Sequence, residues 1–129
     1  MSTIIGLGVD ITDIPRIAET IARYGDRFVH RIFTDGEVVY CRRHRAPESR
    51  FAARFAAKEA AMKALGTGVS RGVFWRDIEV VRHGGPPQLQ FHGGAARRFA
   101  SIGGTSSLLT ITHSDTIALA EVLILGRKP

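Results

Sequence analysis

Hydrophobic and polar positions alternate along the first stretch of the chain. Ile5, Leu7, Val9 and Ile11 are interleaved with Ile4, Gly6, Gly8 and Asp10. A period of two predicts a strand over Ile4 to Ile11. One of its faces is apolar; the other carries two glycines and then a carboxylate. Glycines inside a strand mark the close approach of another backbone or of a ligand. The period then lengthens. Ile14, Ile17, Ala18 and Ile21 form one helical stripe, with Asp13 as a candidate N-cap, Pro15 in the first turn and Gly25 as the stop, so a helix is expected over Ile14 to Tyr24. Thr34 and Glu37 have the spacing of a capping box, which opens a short helix running to about Arg42.

A long helix is predicted from Pro47 to Leu65, ended by Gly66. Phe51, Phe55, Met62 and Leu65 define its apolar stripe, and Glu59 falls on that stripe, one turn from Phe55 and from Met62. Beyond it the pattern is mostly that of strands: Phe74 to Val81, Leu89 to Phe91, Leu108 to His113 and Thr116 to Leu125, with a helix over Ala95 to Ile102. The order β-α-α-α-β-β-α-β-β, helices early and strands late, argues an α+β fold with a largely antiparallel sheet packed against the long helix.

At 129 residues, 44% hydrophobic and 23% charged, the chain reads as one globular domain over residues 1–129, with no repeat or low-complexity segment. No run approaches the about 18 apolar residues that span a bilayer, and the N-terminus lacks a basic segment followed by an apolar one, so a cytoplasmic protein without a membrane role is expected. The single cysteine, Cys41, cannot close an intrachain disulfide. Lys+Arg 18 against Asp+Glu 12 leaves a net charge of +6, and only Lys58, Lys63 and Lys128 are lysines. An arginine-rich surface favours anionic partners: nucleic acid, an acidic protein or a polyphosphate. The run Arg42 to Arg45 suits nucleic acid, but exposed aromatics interleaved for base stacking are missing, so no nucleic-acid partner is expected.

The candidate chemistry centres on Glu59. A carboxylate on an apolar seam needs a compensating cation. Lys63, four residues on, can supply an ordinary helix ion pair. Alternatively, Glu59 shares a divalent ion with Asp10; Mg²⁺ takes one or two carboxylates plus waters and substrate phosphates. The residues alone leave both readings open. Gly66, Thr67 and Gly68 form a tight loop able to offer backbone N–H groups to a phosphate, and His113 ends a strand just before a turn. The five histidines are scattered and do not have zinc-ligand spacing.

Three stretches together resemble the holo-acyl-carrier-protein synthase family of 4′-phosphopantetheinyl transferases, in its short bacterial form. Gly8-Val9-Asp10-Ile11-Thr12-Asp13-Ile14-Pro15-Arg16-Ile17 is similar to G-x-D-I-x-x-[IL]-x-R-[IF]; Arg54 to Gly68 is similar to R-[FW]-A-x-K-E-A-x-x-K-A-[LF]-G-T-G; Thr110-Ile111-Thr112-His113 is similar to S-[IL]-[TS]-H, with threonine for serine. The likeness covers essentially the whole chain. It implies the phosphopantetheinyl transferase fold, a Mg²⁺-dependent transfer from coenzyme A to a serine of an apo acyl carrier protein in fatty acid biosynthesis, and a homotrimer with sites at subunit interfaces. By the same resemblance Asp10 and Glu59 are the metal ligands. Glu59, Lys63 and His113 are the catalytic residues. Arg54, Lys63, Gly66, Thr67, Gly68 and His113 contact coenzyme A. Arg16 is implied as a carrier contact, and the spacing of Arg23 and Arg27 on or beside the same helix extends that surface.

Overall fold

The computed structural model describes residues 2–129. A strand β1 (Thr3–Asp13) is followed by four helices, α1 (Ile14–Tyr24), α2 (Asp26–Ile32), α3 (Asp35–Arg42) and α4 (Pro47–Leu65), then a 3-10 turn (Trp75–Asp77), strands β2 (Ile78–Val81) and β3 (Gln88–Phe91), helix α5 (Gly93–Ser101), and strands β4 (Gly104–His113) and β5 (Ile117–Gly126). Two antiparallel sheets form, one ordered β1-β5-β4 and the other pairing β2 with β3. The expected α+β class with antiparallel sheets is what the chain adopts.

Helix α4 is the axis of the molecule. Its alanines are the best helix formers and leave little side-chain bulk, so the helix lies close against the β1-β5-β4 sheet. Ala118, Ala120, Val122 and Ile124 of β5 are fully buried beneath it. Gly6 and Gly8 face the same helix. A Cβ on Gly8 would overlap the Ala60 carbonyl oxygen and lie 2.8 Å from its carbon and 2.9 Å from the Ala64 nitrogen. The close approach that the glycines implied is therefore that of the helix backbone. The next inward position along the strand is Asp10, then Thr12.

One hydrophobic cluster joins the second half of α4 to β2, α5 and β5; another joins its first half to α1, α2 and α3. Between them lies a buried ion pair. Lys58 Nζ is 2.7 Å from Glu37 Oε1, both side chains fully buried. Glu37 also accepts from the backbone N–H of Thr34 at 2.8 Å and of Val80 at 2.9 Å, while Lys58 donates to the carbonyls of Trp75 and Ile78. Every charge in this knot is met, and it ties α3, α4, the 3-10 turn and β2 together. The capping box Thr34/Glu37 forms as the spacing required.

Four expectations need correction. Helix α2 went unread because seven residues are too few for a period to show, and because Gly25 ends α1 and opens α2 at once. Residues 74–77 are not strand: Asp77 Oδ2 accepts the Phe74 N–H at 3.0 Å and closes a turn. Ile5 does not share a face with Leu7, because the register with β5 slips between Ile4 and Gly6 and turns Ile5 into the core. Helix α4 has no single apolar stripe. It is covered on nearly all sides, and its open edge is the line Phe55, Glu59, Lys63, spaced four residues apart.

Candidate active site

The open edge of α4 and the inner face of β1 meet at a cavity of about 420 Å³ lined by Asp10, Thr12, Arg16, Phe28, Phe55 and Glu59 among others. Two carboxylates from different elements thus converge on one space. Each is positioned by a specific device. Glu59 is placed by the turn of α4 that brings Phe55 and Lys63 to the same side. Asp10 is held at both oxygens: Thr12 Oγ1 donates to Oδ2 at 2.8 Å, and Lys63 Nζ lies 3.3 Å from Oδ1. The Lys63 ammonium also donates to the Val9 carbonyl at 2.9 Å. The ion pair of Lys63 is therefore with Asp10, across two elements, and not the helix pair with Glu59 that spacing allowed. Burial raises the Glu59 carboxyl above its ordinary value, the negative charge of Asp10 raises it further, and Lys63 partly offsets both. No cluster of three metal-ligating side chains occurs among the described residues.

Arg16, from the first turn of α1, lines the same cavity. A shallower groove of about 300 Å³ adjoins it through Thr20 and Phe28 and is walled by Tyr24, Arg27 and Arg31. Arg27 belongs to α2, the helix that sequence periodicity missed. Arg23 lines neither space; it lies over Tyr24, with 5.5 Å from guanidinium carbon to ring centre.

His113 does not join the carboxylates. It sits exposed at the end of β4, on the inner face, and borders a pocket of about 200 Å³ with Tyr40, Arg50, Arg54 and Arg82. Arg54 is buried, with its guanidinium carbon 3.9 Å from the centre of the Tyr40 ring. In the loop after α4, Gly66 takes the left-handed conformation at φ 76° and Gly68 at φ 57°. The N–H groups of Gly66 and Thr67 close the helix end onto Lys63 and Met62, and Arg98 Nε donates to the Leu65 carbonyl at 2.9 Å, so of the three loop residues only Gly68 keeps its N–H outside the helix cap. Thr12, Tyr40, Arg50 and Arg82 were not singled out from the sequence, and Phe55 was read only as part of an apolar stripe. Thr12 had a signal, its position two residues from Asp10 on the same strand face; Arg50 lies one helical turn before Arg54; Tyr40 and Arg82 come from distant segments and had none.

The profile of the 4′-phosphopantetheinyl transferase superfamily matches residues 6–118. The holo-[acyl-carrier-protein] synthase of Koribacter versatilis is 50% identical over 122 residues, covering 94% of this chain and 98% of that protein. The crystal structure of the holo-[acyl-carrier-protein] synthase from Neisseria meningitidis superposes with a TM-score of 0.87 at 30% identity, covering 95% of this chain and 98% of that one. That of Bacillus anthracis, in complex with coenzyme A (3′,5′-ADP), gives 0.78 at 33% identity, covering 96% and 98%. With two converging carboxylates in this frame and a match spanning most of its length, the chain belongs to the 4′-phosphopantetheinyl transferase superfamily.

Proposed function

We propose that this chain is a holo-[acyl-carrier-protein] synthase, and that Asp10, Glu59 and Lys63 carry its chemistry. The reaction moves the 4′-phosphopantetheine arm of coenzyme A to a serine of an apo acyl carrier protein and serves fatty acid biosynthesis in the cytoplasm. The serine oxygen attacks the β-phosphorus of the pyrophosphate, the bond to the bridging oxygen breaks, and adenosine 3′,5′-bisphosphate departs. The observation that carries this reading is the convergence of Asp10 and Glu59, from a strand and a helix, on one cavity, with Lys63 paired to Asp10.

A divalent ion fits that donor set: two carboxylates whose like charges repel, which raises the proton affinity of Glu59, and no third ligand among the described residues, the sparse pattern that Mg²⁺ favours. When bound there by Asp10 and Glu59, Mg²⁺ supplies neutralisation of the phosphate oxygens. The remaining work belongs to the side chains. Thr12 fixes the rotation of the Asp10 carboxylate. Lys63, anchored on the Val9 carbonyl yet half exposed, presents its ammonium to the oxygen that leaves. Glu59, or a water on the ion that it would orient, accepts the proton of the serine hydroxyl. His113, Arg54 and the Gly66, Thr67, Gly68 loop contact the nucleotide part of coenzyme A.

The carrier protein, small and acidic in this family, docks on Arg16, Arg23 and Arg27; Arg16 in the carboxylate cavity and Arg27 in the groove beside it support that surface. A homotrimer with sites between subunits is supported by the outer face of the β1-β5-β4 sheet, where Leu7, Val9, Ile11, Leu108 and Ile117 lie exposed without a covering element. No helix among the described residues is long and apolar enough to cross a membrane. Intact-mass analysis of an apo carrier protein incubated with the enzyme, coenzyme A and Mg²⁺ tests the reading. A phosphopantetheine adduct on the serine is expected, and an unmodified carrier would refute it.

A further inference from the structure

Tyr40, Arg54 and Arg82 form a wall shared by two small cavities. On one side the lining includes Glu79, which is engaged by His92 and Thr34. On the other side the wall is continued by Arg50 and His113, and no carboxylate lines that pocket. Arg54 is only 5% exposed, and its buried Nε has no hydrogen-bond partner among the described residues. A guanidinium withdrawn from water without a hydrogen-bond partner for its Nε is costly, so the pocket has the chemistry of an anion site. Several guanidinium forks converging on one small space match a phosphate.

Tyr40 is the piece that organises this wall. Its ring face lies under the Arg54 guanidinium at 3.9 Å, a contact that orients the fork as well as attracting it. The His44 ring packs against it, with centres 4.7 Å apart, and His44 is itself fixed by a bond of 2.9 Å between its Nδ1 and the Tyr40 carbonyl. Burial opposes the phenolate form of Tyr40, but the neighbouring charges of Arg82 and Arg54 outweigh it and leave the phenol below its ordinary value.

We propose that Tyr40 is a positioning residue for coenzyme A: its ring holds the Arg54 guanidinium, beside Arg82 in the same wall, in the arrangement that receives a phosphate group of the substrate in the pocket completed by Arg50 and His113. This rests on the reading of coenzyme A as the phosphopantetheine donor. Coenzyme A offers two sources of that chemistry, its pyrophosphate and its ribose 3′-phosphate. Neither Tyr40 nor Arg54 touches the carboxylate cavity, so the effect falls on substrate binding and not on the chemical step.

The test measures KM and kcat for wild type, Tyr40→Phe and Tyr40→Leu, with coenzyme A and with 3′-dephospho-coenzyme A. Tyr40→Leu raises KM for coenzyme A about tenfold, equivalent to about 1.4 kcal/mol, with kcat within about threefold; Tyr40→Phe, which keeps the ring face, stays within about threefold in both. If the 3′-phosphate is the ligand, KM for the dephospho compound is the same in wild type and Tyr40→Leu; if the pyrophosphate is, both KM values rise. An unchanged KM for both substrates in Tyr40→Leu overturns the proposal, as does Tyr40→Phe being as impaired as Tyr40→Leu, or a loss confined to kcat. Tyr40→Gln supplies the same comparison if Tyr40→Leu fails to fold. A wild-type enzyme that transfers nothing from coenzyme A refutes the functional reading itself, whereas transfer with KM unmoved refutes the role of Tyr40 alone.

Discussion

Replacing Gly8 by alanine adds one methyl group at the tightest point between β1 and α4. That carbon would overlap the Ala60 carbonyl oxygen and sit 2.8 Å from the Ala60 carbon and 2.9 Å from the Ala64 nitrogen. All three obstacles are backbone atoms of a buried helix, so no side chain can rotate away. Either the strand lifts or the helix moves. Overpacking a core typically costs about 1–3 kcal/mol, and an obstacle made of backbone puts Gly8→Ala at the top of that range. For a chain of this size that is a fall in Tm of about 10 °C, from the unfolding entropy per residue. The functional cost is larger. Asp10 is the next inward position on the same strand, and its carboxylate must reach the cavity that Glu59 enters from α4. A displacement of about 1 Å at such a site costs about 10²-fold in rate. Gly85→Ala is the control, since a Cβ there meets nothing within 4 Å. Thermal unfolding by circular dichroism and transfer to an apo carrier protein, measured side by side, decide the matter. Gly8→Ala with wild-type Tm and wild-type turnover would show that β1 and α4 are not clamped as described, and the positioning of Asp10 would need another explanation.

Lys63→Ala should lower kcat by about 10²–10³-fold, the usual loss for one preorganised donor to a developing anion; a loss below tenfold would reduce Lys63 to a partner of Asp10. Lys58→Ala leaves Glu37 buried and unpaired, which costs about 3–5 kcal/mol and should appear as a large drop in urea midpoint, whereas an unchanged midpoint would show that the knot between α3 and β2 does not hold the fold. Glu59 has a folded-state carboxyl raised above 4.5, so its stabilising contribution is complete below that value and is lost as pH rises through the folded one. Without Mg²⁺, Glu59→Gln should therefore have the higher Tm at pH 7 and lose that advantage at pH 4, and equal Tm values at both pH would contradict the burial of the carboxylate. Arg16→Glu should raise KM for the carrier while leaving that for coenzyme A nearly unchanged, with the defect shrinking at high salt; equal effects on both substrates would move the docking surface elsewhere.

Much of this was legible in the chain because several signals were local. The α1 stripe of Ile14, Ile17 and Ile21, the Thr34/Glu37 box and the Gly66 stop all depend on residues within one turn of each other. That Gly6 and Gly8 mark a close approach was legible too, since only a missing side chain permits such contact, but not whether a backbone or a ligand makes it. Long-range partners were not. Glu59 and Lys63 stand four residues apart on one helix, yet the ammonium turns to Asp10 because the strand brings a carboxylate and a carbonyl to it. The second role of Glu37, as counter-ion to Lys58, was hidden behind its cap. His113 follows a recognisable motif, but the arginines around it come from α4 and from beyond β2, and only the fold assembles them.

The central claim is that the Asp10 and Glu59 carboxylates together hold the ion on which transfer depends. Single-turnover transfer from coenzyme A to an apo carrier protein, followed by intact mass across a Mg²⁺ titration, tests it in wild type, Asp10→Asn and Glu59→Gln. The account predicts a saturable Mg²⁺ dependence in the wild type, and folded variants, by circular dichroism, whose transfer at limiting Mg²⁺ falls more than about 10²-fold. Near-normal transfer by either variant at limiting Mg²⁺ would contradict it.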